Sequence, residues 1–169
     1  MRRAQHPAGD LNGVANSTSL SSDFLKQAEE IAEYISQTYF YARKVIELGI
    51  GFSPWVAIKL RQLLPETEIY VVDKNPAALR ELKDPTLKPI EDDLFRPKIE
   101  NYLGADLLYS IHPPLELLDP MKALAEKLRA PLLVKPLSED AYLYGFHYWK
   151  RVRLSTCVLF LWNTMKDRD

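Results

Sequence analysis

One stretch limits what this chain can fold into more than any other: Val45 to Val56, reading Val-Ile-Glu-Leu-Gly-Ile-Gly-Phe-Ser-Pro-Trp-Val. An apolar run ends at Glu47-Leu48, glycines follow at 49 and 51, and Ser53-Pro54 is a helix-start signal. The order is strand, tight turn, helix. Gly49 and Gly51 permit a sharp turn and let a ligand lie against bare main chain. Ser53 suits the cap of the first helical turn, and Pro54 suits the first helical position, where a missing N–H costs nothing. Such a helix aims the positive end of its dipole at whatever sits over the glycines.

The spacing also discriminates between ligands. A dinucleotide turn wants a third glycine three residues after the second, for close helix–strand packing, and this chain has Pro54 there. A pyrophosphate cradle, and with it NAD, is therefore the weaker expectation. Glu47 instead completes the pattern Glu-x-Gly-x-Gly-x-Ser. This resembles the first motif of class I S-adenosylmethionine (SAM) dependent methyltransferases, and the resemblance implies that Glu47, Gly49 and Gly51 hold the zwitterionic methionine end of SAM. An ordinary strand–helix turn also uses two glycines, so the motif needs a second signal.

Asp73 provides it. Ile69 to Val72 is an unbroken apolar run of strand length that stops on this carboxylate, 22 residues after Gly51. An acidic side chain at the tip of the second strand can accept hydrogen bonds from both ribose hydroxyls. The competing reading is that Asp73 only begins the turn Asp73-Lys74-Asn75-Pro76, with Asn75 capping a helix of about 76–83. A short third strand, 87–90, leads into Glu91-Asp92-Asp93-Leu94-Phe95. The methyltransferase resemblance implies that Asp93 takes the adenine amino group and Leu94 covers the ring; a solvated acidic loop is the alternative. Asp92 and Asp93 lack a clear third ligand, so no metal is expected.

The bulk properties allow one α/β domain. The chain has 169 residues, 47% hydrophobic and 27% charged, with a net charge of -1. That charge argues against a general nucleic-acid coat. Cys157 is the single cysteine, so no internal disulfide is available, which suits a reducing, cytoplasmic setting. No run approaches the roughly 20 apolar residues that span a bilayer. Residues 1–20 are rich in Gly, Asn, Ser and Thr without an apolar core and read as a disordered leader or a misassigned start; residues 21–169 read as the folded domain.

In chain order, Phe24, Ala28, Ile31 and Ile35 make a helical stripe starting at Ser21 or Ser22 and ending by Tyr39 to Tyr41. The first strand covers about 43–48 and the helix after the glycines about 54–64. A strand over 105–110 runs into Ile111-His112-Pro113-Pro114-Leu115-Glu116. This resembles the Asn-, Asp- or Ser-Pro-Pro-aromatic motif of amine-directed methyltransferases, which implies a substrate mouth at Ser110, Pro113 and Pro114. His112 stands where the amide or acid belongs and Leu115 where the aromatic belongs, which speaks against methylation of a base or a glutamine. His112 is the best-placed general base, with an unperturbed pKa of about 6.5.

A helix of about 115–129 follows, then a fifth strand, 131–135. Residues 146–154 and 156–162 read as a closing antiparallel strand pair. Lys150, Arg151 and Arg153 lie there beside Tyr148 and Trp149, which suits either an RNA surface or a charged edge strand that resists sticking.

The fold expected is thus Rossmann-like, three αβα layers around a mostly parallel central sheet. The segments Glu-Leu-Gly-Ile-Gly-Phe, Val-Val-Asp-Lys-Asn-Pro, Ala-Asp-Leu-Leu-Tyr-Ser-Ile-His-Pro-Pro-Leu-Glu-Leu and Leu-Leu-Val-Lys-Pro-Leu resemble a small archaeal family of uncharacterised proteins with a methyltransferase-like fold. That resemblance covers about 24–140 and implies SAM as cofactor. It leaves open the acceptor, RNA or small molecule, the oligomeric state, and whether the domain is an enzyme or a non-catalytic SAM- or nucleotide-binding module or subunit of a complex.

Overall fold

The computed structural model describes residues 16–138 and 145–164. The elements run α1 (Asn16–Thr38), β1 (Lys44–Leu48), α2 (Trp55–Leu63), β2 (Glu68–Asp73), α3 (Pro76–Arg80), β3 (Lys88–Glu91), β4 (Leu107–Ile111), α4 (Leu118–Leu128), β5 (Leu132–Lys135), β6 (Lys150–Arg153) and β7 (Val158–Trp162). Short 3-10 turns occupy Ile99–Asn101 and Leu115–Leu117.

The strands form one sheet in the order β3-β2-β1-β4-β5-β7-β6. All neighbours from β3 to β5 are parallel, whereas β7 runs antiparallel to both β5 and β6. The expected architecture, a mostly parallel sheet closed by an antiparallel pair, is what the chain adopts. β1 lies in the middle because the chain first builds outward through β2 and β3, then returns to place β4 on its other side. The carboxyl ends of β1 and β4 diverge there, and open α/β sheets bind ligands at such switch points.

Alternation along the strands sorts their side chains onto two cores. Val45, Ile69, Val71, Leu107, Tyr109 and Leu133 pack with α1 and α2 through Ile31, Ile35, Val56 and Leu60. Ile46, Leu48, Val72, Leu108, Leu132 and Val134 pack with α4 through Met121, Leu124 and Ala125. Both faces of the central strands are covered, which is why they read as continuous apolar runs.

Several boundaries differ from the sequence expectation. α1 begins at Asn16, so the last five residues of the expected leader are helical, and residues 1–15 lie outside the described residues. Asn, Ser and Thr favour caps over helix interiors, so this first turn carried no periodic signal. The helix expected over 115–129 is split into the 3-10 turn and α4. The closing strands are shorter than expected, because residues Phe146 to Trp149 form turns that pack the Phe146 and Trp149 rings inward, Phe146 stacking on Phe160 at 4.2 Å.

α1 is fastened to the β6–β7 turn by one carboxylate. Glu30 accepts hydrogen bonds from the backbone N–H of Ser155 at 2.6 Å and of Thr156 at 2.9 Å, and from both their hydroxyls. Desolvation pushes its carboxyl up, but these bonds outweigh it and bring the pKa from 4.5 down to about 2. A depressed carboxylate stabilises the fold above its unfolded pKa and loses that contribution as the pH falls through the folded value. Glu30→Ala is expected to cost about 1 kcal/mol at pH 7, a value kept small by solvent screening. In thermal unfolding, the gap to wild type should close as the pH drops from about 4.5 toward 2.

Candidate functional site

The glycine turn hangs from the end of β2. The N–H groups of Gly49 and Ile50 both donate to the Val72 carbonyl, at 2.8 and 3.1 Å, and Gly51 N–H donates to the Asp73 carboxylate at 2.8 Å. To make these bonds Gly49 and Gly51 take φ of +67° and +54°. A Cβ at either position would meet nothing within 4 Å. Glycine is therefore required by the backbone conformation, and the space beside the turn is open.

Asp73 turns toward the glycine turn and also starts the next one. Its second oxygen accepts from Asn75 N–H at 2.8 Å, while Asn75 caps α3 through Ala77 N–H at 3.0 Å. The two readings of Asp73 offered by the sequence are thus compatible. A carboxylate has about four acceptor positions, and two are used here, leaving one on each oxygen for a ligand.

Glu47 is elsewhere than the motif suggested. It lies beneath the turn, fully buried, and is absent from the cavity wall. Its carboxyl accepts the Tyr109 hydroxyl at 2.6 Å and the N–H of Ala57 in the first turn of α2. Ser53 does not cap that helix; Pro54 holds the cap position without a side-chain bond. The buried acid, ten residues upstream, satisfies the helix end that Ser53 was expected to serve. Burial raises the Glu47 pKa to about 7 against the opposing pull of Tyr109 and Ala57.

A cavity of about 430 Å³ opens over the turn, at the switch point. On one side its wall consists of Gly49, Ile50, Gly51, Phe52, Ser53, Asp73 and Lys74. The segment after β3 adds Asp92, Asp93, Leu94 and Phe95. The end of β4 and the turn beyond add Ile111, His112, Pro114, Glu116 and Leu117, and α1 lowers Phe24 onto the same space. Asp92 is occupied structurally: it is buried and accepts the Tyr102 hydroxyl at 2.8 Å and Lys98 N–H at 2.9 Å. Asp93 is exposed, and its carboxylate accepts from Phe95 N–H at 3.0 Å.

Of the expected mouth, only Pro114 reaches the cavity. Pro113 is buried outside its wall, and Ser110 is buried with its hydroxyl donating to the Leu48 carbonyl at 2.7 Å, tying β4 to β1. Ser110 lies within β4 on the side of Leu108, which faces the α4 core, whereas His112 lies past the strand's end, where its positive φ breaks the alternation and its ring comes beside Phe24 of α1. His112 is half-buried in left-handed conformation, φ +51°, its N–H donating to Lys135 carbonyl at 2.7 Å and its ring 5.8 Å from that of Phe24. Burial, and then the neighbouring Lys135 charge, lower its pKa, so the imidazole is neutral at pH 7. Among the described residues no group of three His, Cys, Asp or Glu is arranged to hold a metal ion.

Phe24, Phe52, Lys74, Glu116 and Leu117 were not anticipated in the site. Phe24 sits on the same helical stripe as core residues, and nothing local marks it as a cavity wall; Glu116 had a hint in its closeness to His112.

Comparison with known proteins places these features. The sequence matches the description "Uncharacterised protein family (UPF0146)" over residues 28–159. A UPF0146 protein of Pyrococcus horikoshii is 37% identical over 111 residues, 66% of this chain and 82% of the relative. One of Methanocaldococcus jannaschii is 38% identical over 98 residues, 58% of this chain and 69% of the relative. Among solved structures, the chain is similar to the fibrillarin/Nop5p complex, at TM-score 0.53 and 19% identity over 70% of each chain. It is also similar to the N-terminal domain of EvdMO1 with SAH and D-fucose, at TM-score 0.58 and 12% identity over 79% of this chain and 80% of the other. At these identities the structural likeness establishes the fold, which is methyltransferase-like.

Two outcomes test the floor of the cavity. Gly51→Ala should cost about 1–2 kcal/mol in denaturant unfolding, the penalty of a left-handed residue with a Cβ, without disturbing the cores. Glu47 has the opposite linkage to Glu30: a raised folded pKa means stability is lost as pH rises from about 4.5 to about 7. Glu47→Gln keeps an acceptor for Ala57 and a donor for Tyr109, so its stability relative to wild type should climb across that window; a constant difference would contradict the burial argument.

Proposed function

The chain belongs to the uncharacterised protein family UPF0146, and on that premise we propose that its cavity binds SAM and that it acts as a methyltransferase. The observation that carries this reading is the Asp73 carboxylate, held 2.8 Å from Gly51 N–H with one acceptor position left on each oxygen. Two neighbouring acceptors suit the vicinal hydroxyls of a ribose. Bare main chain at Gly49 and Gly51 suits the methionine end, while Asp93 and Leu94 suit the adenine amino group and ring face. A volume of about 430 Å³ falls in the range of small-molecule and cofactor sites.

When bound, the cofactor would supply an already activated methyl sulfonium. The residues of this chain would then have to hold an acceptor in line, roughly 3 Å from the methyl carbon, and exclude water. His112, neutral at pH 7, is the group able to take a proton from an acceptor that must lose one.

A module that holds SAM without turnover is the second reading. It is favoured by the replacement of both acceptor-reading positions, by His112 and Leu115. SAH binding with no label transferred to RNA, protein or small-molecule extracts would support it. NAD is disfavoured by Pro54. Among the described residues no helix is long and apolar enough to cross a membrane, and the single cysteine supports a cytoplasmic location.

Thermal unfolding with SAH and with NAD tests the cofactor. SAH at 100 times its Kd should add about 2.7 kcal/mol, a Tm rise of about 5–10 °C for a chain of this size. NAD should add nothing. In Asp73→Asn, where one acceptor oxygen becomes a donor, the SAH shift should largely disappear. A shift with NAD alone, or with neither ligand, would sink the reading.

A further inference from the structure

We infer that the methyl acceptor is the nitrogen of a small amine carried on an apolar or aromatic body, recognised by Glu116 and deprotonated by His112. The inference rests on the proposed cofactor and concerns the other half of the same cavity.

The wall carries four carboxylates, Asp73, Asp92, Asp93 and Glu116, against one ammonium, Lys74. Three of the four have partners: Asp73 engages Gly51 and Asn75, Asp92 engages Tyr102 and Lys98, and Asp93 engages Phe95. Glu116 has no hydrogen-bond or ion-pair partner among the described residues. It follows Pro113-Pro114 in the 3-10 turn and shares the wall with His112, Phe24 and Leu117.

A free carboxylate, a neutral imidazole and a phenyl ring beside it offer complementary contacts to one kind of group. The carboxylate makes a charge-assisted bond to an ammonium, and an aromatic face attracts the same cation. A phosphate or carboxylate acceptor would meet like charge. Lys135, whose charge is felt at His112, lines a smaller adjoining recess, donates there to the Pro136 carbonyl and is absent from the wall of the main cavity.

The reaction balances with these groups alone. The bound ammonium gives one proton to the His112 imidazole, exposing the nitrogen lone pair. The nitrogen–methyl bond forms as the sulfur–methyl bond breaks, and that bonding pair goes to sulfur, leaving a neutral thioether and an N-methylammonium product. His112 returns its proton to solvent.

The test uses the full chain saturated with SAH and three probes of one shape: 2-phenylethylamine, 2-phenylethanol and phenylacetate. Calorimetry should detect the amine binding at millimolar concentration and more tightly than the other two. Glu116→Gln should weaken the amine by about tenfold, the worth of a bond to a charged group, leaving the alcohol and SAH unchanged. With methyl-labelled SAM, label should appear on the amine nitrogen. Equal or tighter binding of the alcohol or the carboxylate, no amine binding, an unaffected Glu116→Gln variant, or no label on nitrogen would overturn the inference. Absence of SAH binding would instead overturn the cofactor reading itself.

Discussion

The site depends on one hydrogen bond, from Gly51 N–H to the Asp73 carboxylate. It joins the loop after β1 to the tip of the neighbouring strand, and it reinforces two bonds to the Val72 carbonyl made by Gly49 and Ile50. A turn with two residues at positive φ is flexible when both are glycine. Three bonds to a strand whose own register is fixed by β1 and β3 remove that freedom. The carboxylate is fixed by the same bond, so the floor and the adjacent wall of the cavity are set relative to each other before any ligand arrives. Such preorganisation lowers the ordering cost of binding.

Below that floor lies a polar layer inside an otherwise apolar core. Glu47 bridges Tyr109 and Ala57, and Ser110 holds the Leu48 carbonyl, so β1, β4 and the start of α2 are linked where the sheet reverses its strand order. A buried carboxyl is costly. Here it meets a need that a hydrophobe could not, because the first N–H groups of a helix lack partners in the helix itself. The cost is softened below about pH 7, where the raised pKa keeps the group protonated and uncharged. The acid of the glycine motif is thus a support for the turn and stands outside the cavity.

Those facts explain which parts of the molecule were legible in sequence. The strands were readable because both sheet faces are buried, leaving unbroken apolar runs such as Ile69 to Val72. Gly49, Gly51 and Asp73 were readable because the constraint on each is local: a backbone angle or the end of a strand. Phe24, Lys74 and Glu116 were missed as wall residues because they reach the cavity only through the packing of α1 and the paths of two loops. The role of Glu47 was misread for a related reason. A motif gives the spacing of a side chain along the chain, but the alternation of β1 decides that position 47 faces the α1–α2 layer, beside Tyr109.

The basic closing strands fall into place on the same grounds. β6 is the outermost strand at its side of the sheet, separated from β1 by β4, β5 and β7. Its exposed Lys150 and Arg151 lie where unpaired main chain would otherwise recruit another strand, and the Arg151 guanidinium also covers the Phe160 ring at 5.5 Å. Of the two rings that an RNA surface would use, Tyr148 is 84% exposed but Trp149 is buried against Phe146 and Trp162. A strand bound there would lie on the far side of three others from the glycine turn, beside a cavity whose own wall is acidic. Edge protection suffices for the charge of β6, and the acidity of the cavity suits the positive ligands it is proposed to hold.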